Sequence, residues 1–428
     1  MSTVEKRSGY RWLVLMAGCL AICTIYMDMI AYAPILGEIS KKLNVEMGAA
    51  TNLMMGFVLS IACVLIWGGV VCDKFGITAA VVLGLLCSTV PTALIPWIGD
   101  SFSAVMLARL VQGASVGFVF ATIGPILALW FPPEEHGTAS GLLIGSVSLG
   151  CAIGVFASPA ILGMTGSWER TVFILGVPGW AAIALAILIT SKTPPSHQTG
   201  QDQPMTGAAA EAMSYKSALA SPVTWLGSCI VFCNAWAMYC LYNLVPPYLA
   251  ANAPMGLGLG AATSGKLSIA VTIIGLFATI IGGYFFDKVA KGDSRVAAVV
   301  GFLISACIVL IMLPIVSSNI VVLVLCLLIS GWGIPFMGPS ISAFILTNYP
   351  PSIAGRMIGW WFGFGTFGGA AGLYVGGMTI GKSGNFYLAI GMISVASILG
   401  AVLSLFLKTS RQPAITAVVE EIKQLQPS

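Results

Sequence analysis

Twelve apolar stretches recur along this chain, at roughly 12–34, 50–72, 78–98, 102–130, 137–164, 169–190, 222–250, 263–286, 295–316, 319–346, 354–380 and 384–408. Each is about the 20 residues that an α-helix needs to cross a bilayer. They are too long and too rich in interior glycine for the alternating strands of a membrane barrel. Charged side chains make up 8% of the chain, against about a quarter in a soluble domain. A chain so apolar has lipid as its solvent. The expected fold class is an all-α membrane protein of twelve transmembrane helices. No signal peptide is expected, because the first stretch is longer than a signal core and no Ala-x-Ala site follows it.

Lys and Arg fix the expected orientation. With the N-terminus inside, Lys6, Arg7, Arg11, Lys74, Lys192, Lys216, Lys288, Lys291, Arg295, Arg356, Lys408, Arg411 and Lys423 are cytoplasmic. Lys41, Lys42, Arg170, Lys266 and Lys382 then face out. The asymmetry predicts two cytoplasmic termini in a plasma (inner) membrane. Basic residues scattered over many loops are no nucleic-acid signature, so no nucleic-acid partner is expected. All eleven cysteines fall within or at the edge of apolar stretches, as small hydrophobes do. Cys229, Cys233 and Cys240 lack a neighbouring His or carboxylate, so no metal and no cofactor is expected.

The chain repeats itself. "GGVVCDKFG" (Gly68–Gly76) follows the second stretch, and "GGYFFDKVAKGDSR" (Gly282–Arg295) follows the eighth. "FPPEEHGTASG" (Phe131–Gly141) precedes the fifth, and "YPPSIAGRMIG" (Tyr349–Gly359) precedes the eleventh. The polar stretch 191–217 separates the copies and has the Pro, Gly, Ser and Gln of a linker. The expected organisation is a six-helix bundle over 1–190, a cytoplasmic linker over 191–217, a second six-helix bundle over 218–410 and a cytoplasmic tail over 411–428. Duplicated halves about an axis along the membrane normal are a transporter architecture, with the substrate site between them. Each Gly-Gly-x-x-x-Asp-Lys cassette lies in a short cytoplasmic turn. There the acid can sit at the next helix N-terminus and the pair can act as a latch.

These motifs resemble the major facilitator superfamily. Gly69, Asp73, Lys74 and Gly76 match its loop signature, whose final basic pair is replaced here by Ile77 and Thr78. The second copy matches at Gly283, Asp287 and Lys288. "RLVQGASVG" resembles the family's fourth-helix motif at Arg109, Gly113 and Gly117. The resemblance spans nearly the whole chain and implies the superfamily fold and secondary transport by alternating access. The fifth stretch, with Gly141, Gly145, Gly150, Gly154 and Pro159, faintly resembles the signature of the drug–proton antiporters. It carries Ser158 where they have Gly and lacks their final Gly pair.

Once the loops are set aside, two ionisable side chains remain inside the membrane, Asp28 and Arg109. Such residues are functional hypotheses by default. Both fall in the outer half, on helices that line the central cavity in the superfamily. In one reading they form a structural pair. In the other, Asp28 is the proton site, its occupancy set by the nearness of Arg109 and water, as the family's fourth-helix motif implies. Direct binding of substrate by either charge is the third. Cavity-lining candidates are Tyr26, Asn234, Trp236, Tyr239, Tyr242, Asn243, Trp332, Phe336, Trp360 and Trp361, with Pro246 and Pro247 where a gate would bend.

The shortage of membrane cations argues against multiply charged anions. The expected function is proton-coupled transport, by symport or antiport, of a small neutral or monoanionic solute such as a monocarboxylate. A drug–proton antiporter is the alternative, and a transporter-like sensor or assembly partner is the alternative class. The only histidines, His136 and His197, have no partners spaced for metal or triad chemistry, and no Walker run is present. No enzymatic activity is expected. The expected partners are the small-molecule substrate, protons and the bilayer, with the chain acting as a monomer.

Overall fold

The computed structural model describes residues 9–132, 135–190 and 214–407. The linker as far as 213, the tail from 408 and the side chains of Gly69 and Asp73 lie outside the described residues. Among the described residues every regular element is helical. We name the long helices α1 (Tyr10–Ile30), α4 (Phe102–Phe120), α5 (His136–Thr165), α6 (Trp168–Thr190), α7 (Pro222–Ala250), α8 (Gly260–Tyr284), α9 (Ser294–Ala306), α10 (Ile320–Asn348), α11 (Pro351–Ser383) and α12 (Tyr387–Leu405). The second and third stretches run on as Asn52–Ile98, broken at Gly76 with φ 83°, a backbone that a β-carbon disfavours. The parts before and after Gly76 are α2 and α3.

Among the described residues, eleven helical spans are long and apolar enough to cross a membrane. The eleventh sequence stretch is not among them, although α11 is a continuous helix of 33 residues. Glycine recurs along it, and glycine is neither strongly apolar nor a good helix former. What holds α11 is packing: its glycines let α7 and α2 approach at main-chain distance.

The packing pairs repeat. Helix α1 lies on α5 and α6, and the α2–α3 hairpin on α4 and α6. In the second copy α7 lies on α11 and α12, and α10 on α8 and α9, with α9 also on α12. The copies are joined by α2 with α11, by α5 with α8, and by the segment that continues α1 with α7 and α8. The glycine contacts give the register. Gly113 of α4 rests on the main chain of Phe57, and Gly331 of α10 rests on that of Val271. Gly150 of α5 rests on Cys23, and Gly368 of α11 rests on Phe232. Arg109 therefore corresponds to Leu327, and Asp28 to Ala237.

Call the end at which α1 begins the near end and the opposite one the far end. At the near end Arg11 pairs with Glu135 at 2.9 Å. In the second copy the Tyr349 and Thr224 hydroxyls bond at 2.7 Å. At the far end Lys42 reaches Asp100 at 3.2 Å and Glu169 at 4.0 Å. The far end is sealed. The segment Ala31–Leu36 that continues α1 is buried, as is the last part of α7, Leu244–Leu249, and the two touch.

Gly48 lies against the main chain of Gly377, and a β-carbon there would also fall 2.7 Å from the Gly381 nitrogen. Backbone cannot yield as a side chain does. Gly48 lies on the short helix Met47–Ala50 that leads into α2, and Gly48→Val is expected to part this helix from α11 at the far end. Overpacking costs about 1–3 kcal/mol, a shift of roughly 5- to 150-fold toward the open seal. Labelling of Ala33→Cys by an impermeant maleimide from the far side checks this; unchanged labelling would refute it.

A buried polar lock and an aromatic seam

Helix α1 stops at Ile30 because Pro34 has no N–H to offer the preceding turn. A 3₁₀ turn, Ala33–Ile35, and a short helix, Leu36–Lys42, follow. Side chains from other helices take the main-chain carbonyls at this break. Arg109 Nη1 donates to the Asp28 carbonyl at 3.3 Å, and Nη2 to that of Met29 at 3.0 Å. Ser158 Oγ donates to the Ala31 carbonyl at 2.6 Å. Arg109 Nε reaches the Leu53 carbonyl at 3.1 Å, and Nη1 also reaches Gln112 Oε1 at 3.0 Å. The guanidinium lies between the rings of Tyr32 and Phe57, 4.2 and 4.4 Å from their centroids, and Arg109 is fully enclosed. A cation at a helix C-terminus meets both the unpaired carbonyls and the negative end of the dipole.

The Asp28 carboxylate points elsewhere. Its Oδ2 accepts from Ser88 Oγ at 2.6 Å and, at 3.4 Å, from Thr92 Oγ1, both on α3. Gln112 Nε2 donates to Thr92 Oγ1 at 2.8 Å. Arg109 and Asp28 are thus joined through main chain and through Gln112 and Thr92. The direct side-chain pairing considered from sequence gives way to this relay. The lock lies inside the first repeat, among α1, α3 and α4. Its counterparts in the second repeat, Ala237 and Leu327, are buried and apolar.

The seam between the repeats is aromatic. Tyr26 packs on Phe120 with centroids 5.8 Å apart and lies beside Tyr239, Tyr242 and Cys151. Tyr242 also lines a narrow crevice with Val155 of α5 and with Ser268 and Thr272 of α8. The other candidates divide. Asn243 is buried and spends Nδ2 on the Tyr239 carbonyl at 2.8 Å. Asn234 and Trp332 are half-buried. Phe336 packs on Phe285 at 5.1 Å. Trp361 is core, held against Gly227, Phe344 and Tyr349.

Trp236 and Trp360 belong to a ring ladder with Trp225, Phe232 and Phe364. On α11 the face carrying Trp360 continues to Tyr374 and Met378, both exposed. Within the ladder Trp225 is exposed, whereas Trp236 and Trp360 are half-buried with their indole nitrogens enclosed.

The cassettes differ from the sequence expectation in one respect. Asp287 and Lys288 are exposed on a π-helical turn, Phe285–Val289. The acid that caps the next helix is Asp293, whose Oδ1 accepts from the Arg295 amide at 2.9 Å. Gly283 is half-buried, and Lys74 and Gly76 are exposed.

Ser88, Thr92, Gln112 and Tyr32 were not singled out from sequence, and Ser158 was noted only as a departure from the antiporter signature. A signal existed for three of them. Ser88 and Thr92 are four apart on one helix face, and Gln112 is three from Arg109.

With this geometry in place, comparison with known proteins is informative. The family model described as Major Facilitator Superfamily matches residues 18–327 and 292–427. The chain is 24% identical over 398 residues to Quinolone resistance protein NorA of Staphylococcus aureus (strain MRSA252), covering 91% of this chain and 95% of the relative. It is 26% identical over 430 residues to Probable sulfoacetate transporter SauU of Cupriavidus necator, covering 94% and 95%. It is 22% identical over 334 residues to Probable anion transporter 5 of Arabidopsis thaliana, covering 73% and 75%.

Proposed function

The chain belongs to the Major Facilitator Superfamily, and from that premise we propose that this integral membrane transporter is a proton-coupled carrier for a small, uncharged organic solute. In this reading twelve helices cross the plasma membrane as two six-helix bundles. The near end is cytoplasmic with both termini, and a monomer alternates access about the tyrosine seam. Asp28 is the proton site.

One observation carries the reading. Arg109 gives four hydrogen bonds to the protein and is fully enclosed. The membrane cation that an anionic cargo needs is therefore already committed, while the seam offers Tyr26, Tyr239 and Tyr242. Hydroxyls and rings suit a neutral or aromatic solute. The printed names of the relatives include anion and sulfoacetate carriers. They favour a monoanion as the second reading, with Arg109 freed in another state of the cycle.

The test is uptake into proteoliposomes of neutral amino-acid-like solutes, monocarboxylates and hydrophobic drugs, with a pH gradient of either sign. Accumulation of an uncharged solute that follows the gradient is expected. Accumulation indifferent to it would overturn the coupling, and a preference for monocarboxylates would select the second reading.

A further inference from the structure

Ser158, where the fifth stretch departs from the antiporter signature, has no role in the cycle so far. It is fully enclosed, and its Oγ holds the Ala31 carbonyl at the break of α1. The next residue, Pro159, touches the second repeat: a β-carbon on Gly265 of α8 would fall 2.9 Å from its Cγ and 2.7 Å from the Val155 carbonyl. Beside Gly265 stands Ser264, also fully enclosed, and its Oγ donates to the Pro246 carbonyl at 2.6 Å. Pro246 begins the Pro-Pro pair of α7. The order is thus mirrored across α5 and α8. A serine gripping the break of α1 adjoins Pro159, Pro159 meets Gly265, and Gly265 adjoins a serine gripping the proline site of α7. The two gripped segments are those that touch in the far-end seal.

We propose that Ser158 and Ser264 are a paired clamp, positioning residues that make the broken ends of α1 and α7 move together with the α5–α8 contact. Each hydroxyl serves a carbonyl that is enclosed while the seal is shut and that water can reach once it opens. Losing the hydroxyl strands the carbonyl only in the shut state, so the equilibrium moves toward open. One buried hydrogen bond of ordinary strength shifts a two-state balance about fivefold. The proposal rests on the far-end seal being one gate of the alternating-access cycle.

The experiment uses the full chain with its native thiols removed and a reporter at Ala33→Cys or Leu249→Cys, labelled from the far side by an impermeant maleimide. Ser158→Ala is expected to raise labelling about fivefold at both reporters, although Leu249 lies on the other repeat, and Ser264→Ala to do the same. Ser158→Thr keeps a hydroxyl and is expected to restore the low rate. Gly48→Val opens the seal by a separate route and serves as the control. If it raises labelling at both reporters while Ser158→Ala raises it at neither or only at Ala33→Cys, the clamp is wrong and the seal stands. If Gly48→Val is also silent, the seal and the clamp fall together. Equal thermal stability of the serine variants and wild type guards against reading misfolding as opening.

Discussion

Asp28→Asn is expected to abolish uphill accumulation driven by a pH gradient while leaving solute exchange within about threefold of wild type. The amide is nearly the shape of the acid, and its oxygen can still accept from Ser88, which now lies at 2.6 Å. Packing among α1, α3 and α4 is thereby preserved. What is lost is the exchangeable proton. The second repeat offers no substitute, because the positions equivalent to Asp28 and Arg109 are Ala237 and Leu327. The measurement is counterflow against gradient-driven uptake in the same proteoliposomes. A variant that still concentrates solute as wild type does would show that the coupling site is elsewhere. One that loses exchange in proportion would make Asp28 a structural residue.

The helical fold was legible because it rests on properties that single residues carry. Apolar length sets the spans, and Gly76 marks the turn between α2 and α3. The nearly equal offsets of the Asp-Lys and Pro-Pro landmarks go with helix packing pairs that recur in the second half. The lock was only half legible. Asp28 and Arg109 stand out by their cost in lipid, but a guanidinium can serve a carboxylate or a main-chain carbonyl equally well. Sequence does not say that Pro34 ends α1 beside Arg109 and gives it carbonyls to hold. Nor does it separate Trp360 from Tyr239. Both are aromatics on helices of the second repeat, and only packing puts Trp360 in a ring ladder with Trp225 and Phe364 and Tyr239 beside Tyr26. Asp287 misled for a local reason. Its turn winds as a π-helix, so the next helix begins late enough for Asp293 to cap it.

Arg109 tests how the lock is wired. Arg109→Ala strands the buried Asp28 charge and leaves the carbonyls of Asp28, Met29 and Leu53 without their donor. Removing one member of a buried pair costs about 3–5 kcal/mol, and the unserved carbonyls add to it. Adding Asp28→Asn removes the stranded charge and is expected to recover part of that loss. It cannot recover all of it, because the donors to the main chain are still missing. Arg109→Lys separates the two contributions. It keeps the charge near Asp28, but one ammonium cannot reach Leu53, Asp28, Met29 and Gln112 together as the planar fork does. Thermal unfolding in detergent should therefore rank wild type first, then Arg109→Lys, then the double variant, with Arg109→Ala least stable. If Arg109→Lys matches wild type, charge alone suffices and the grip on the broken end of α1 is immaterial. If the double variant falls below Arg109→Ala, the two side chains do not share a lock.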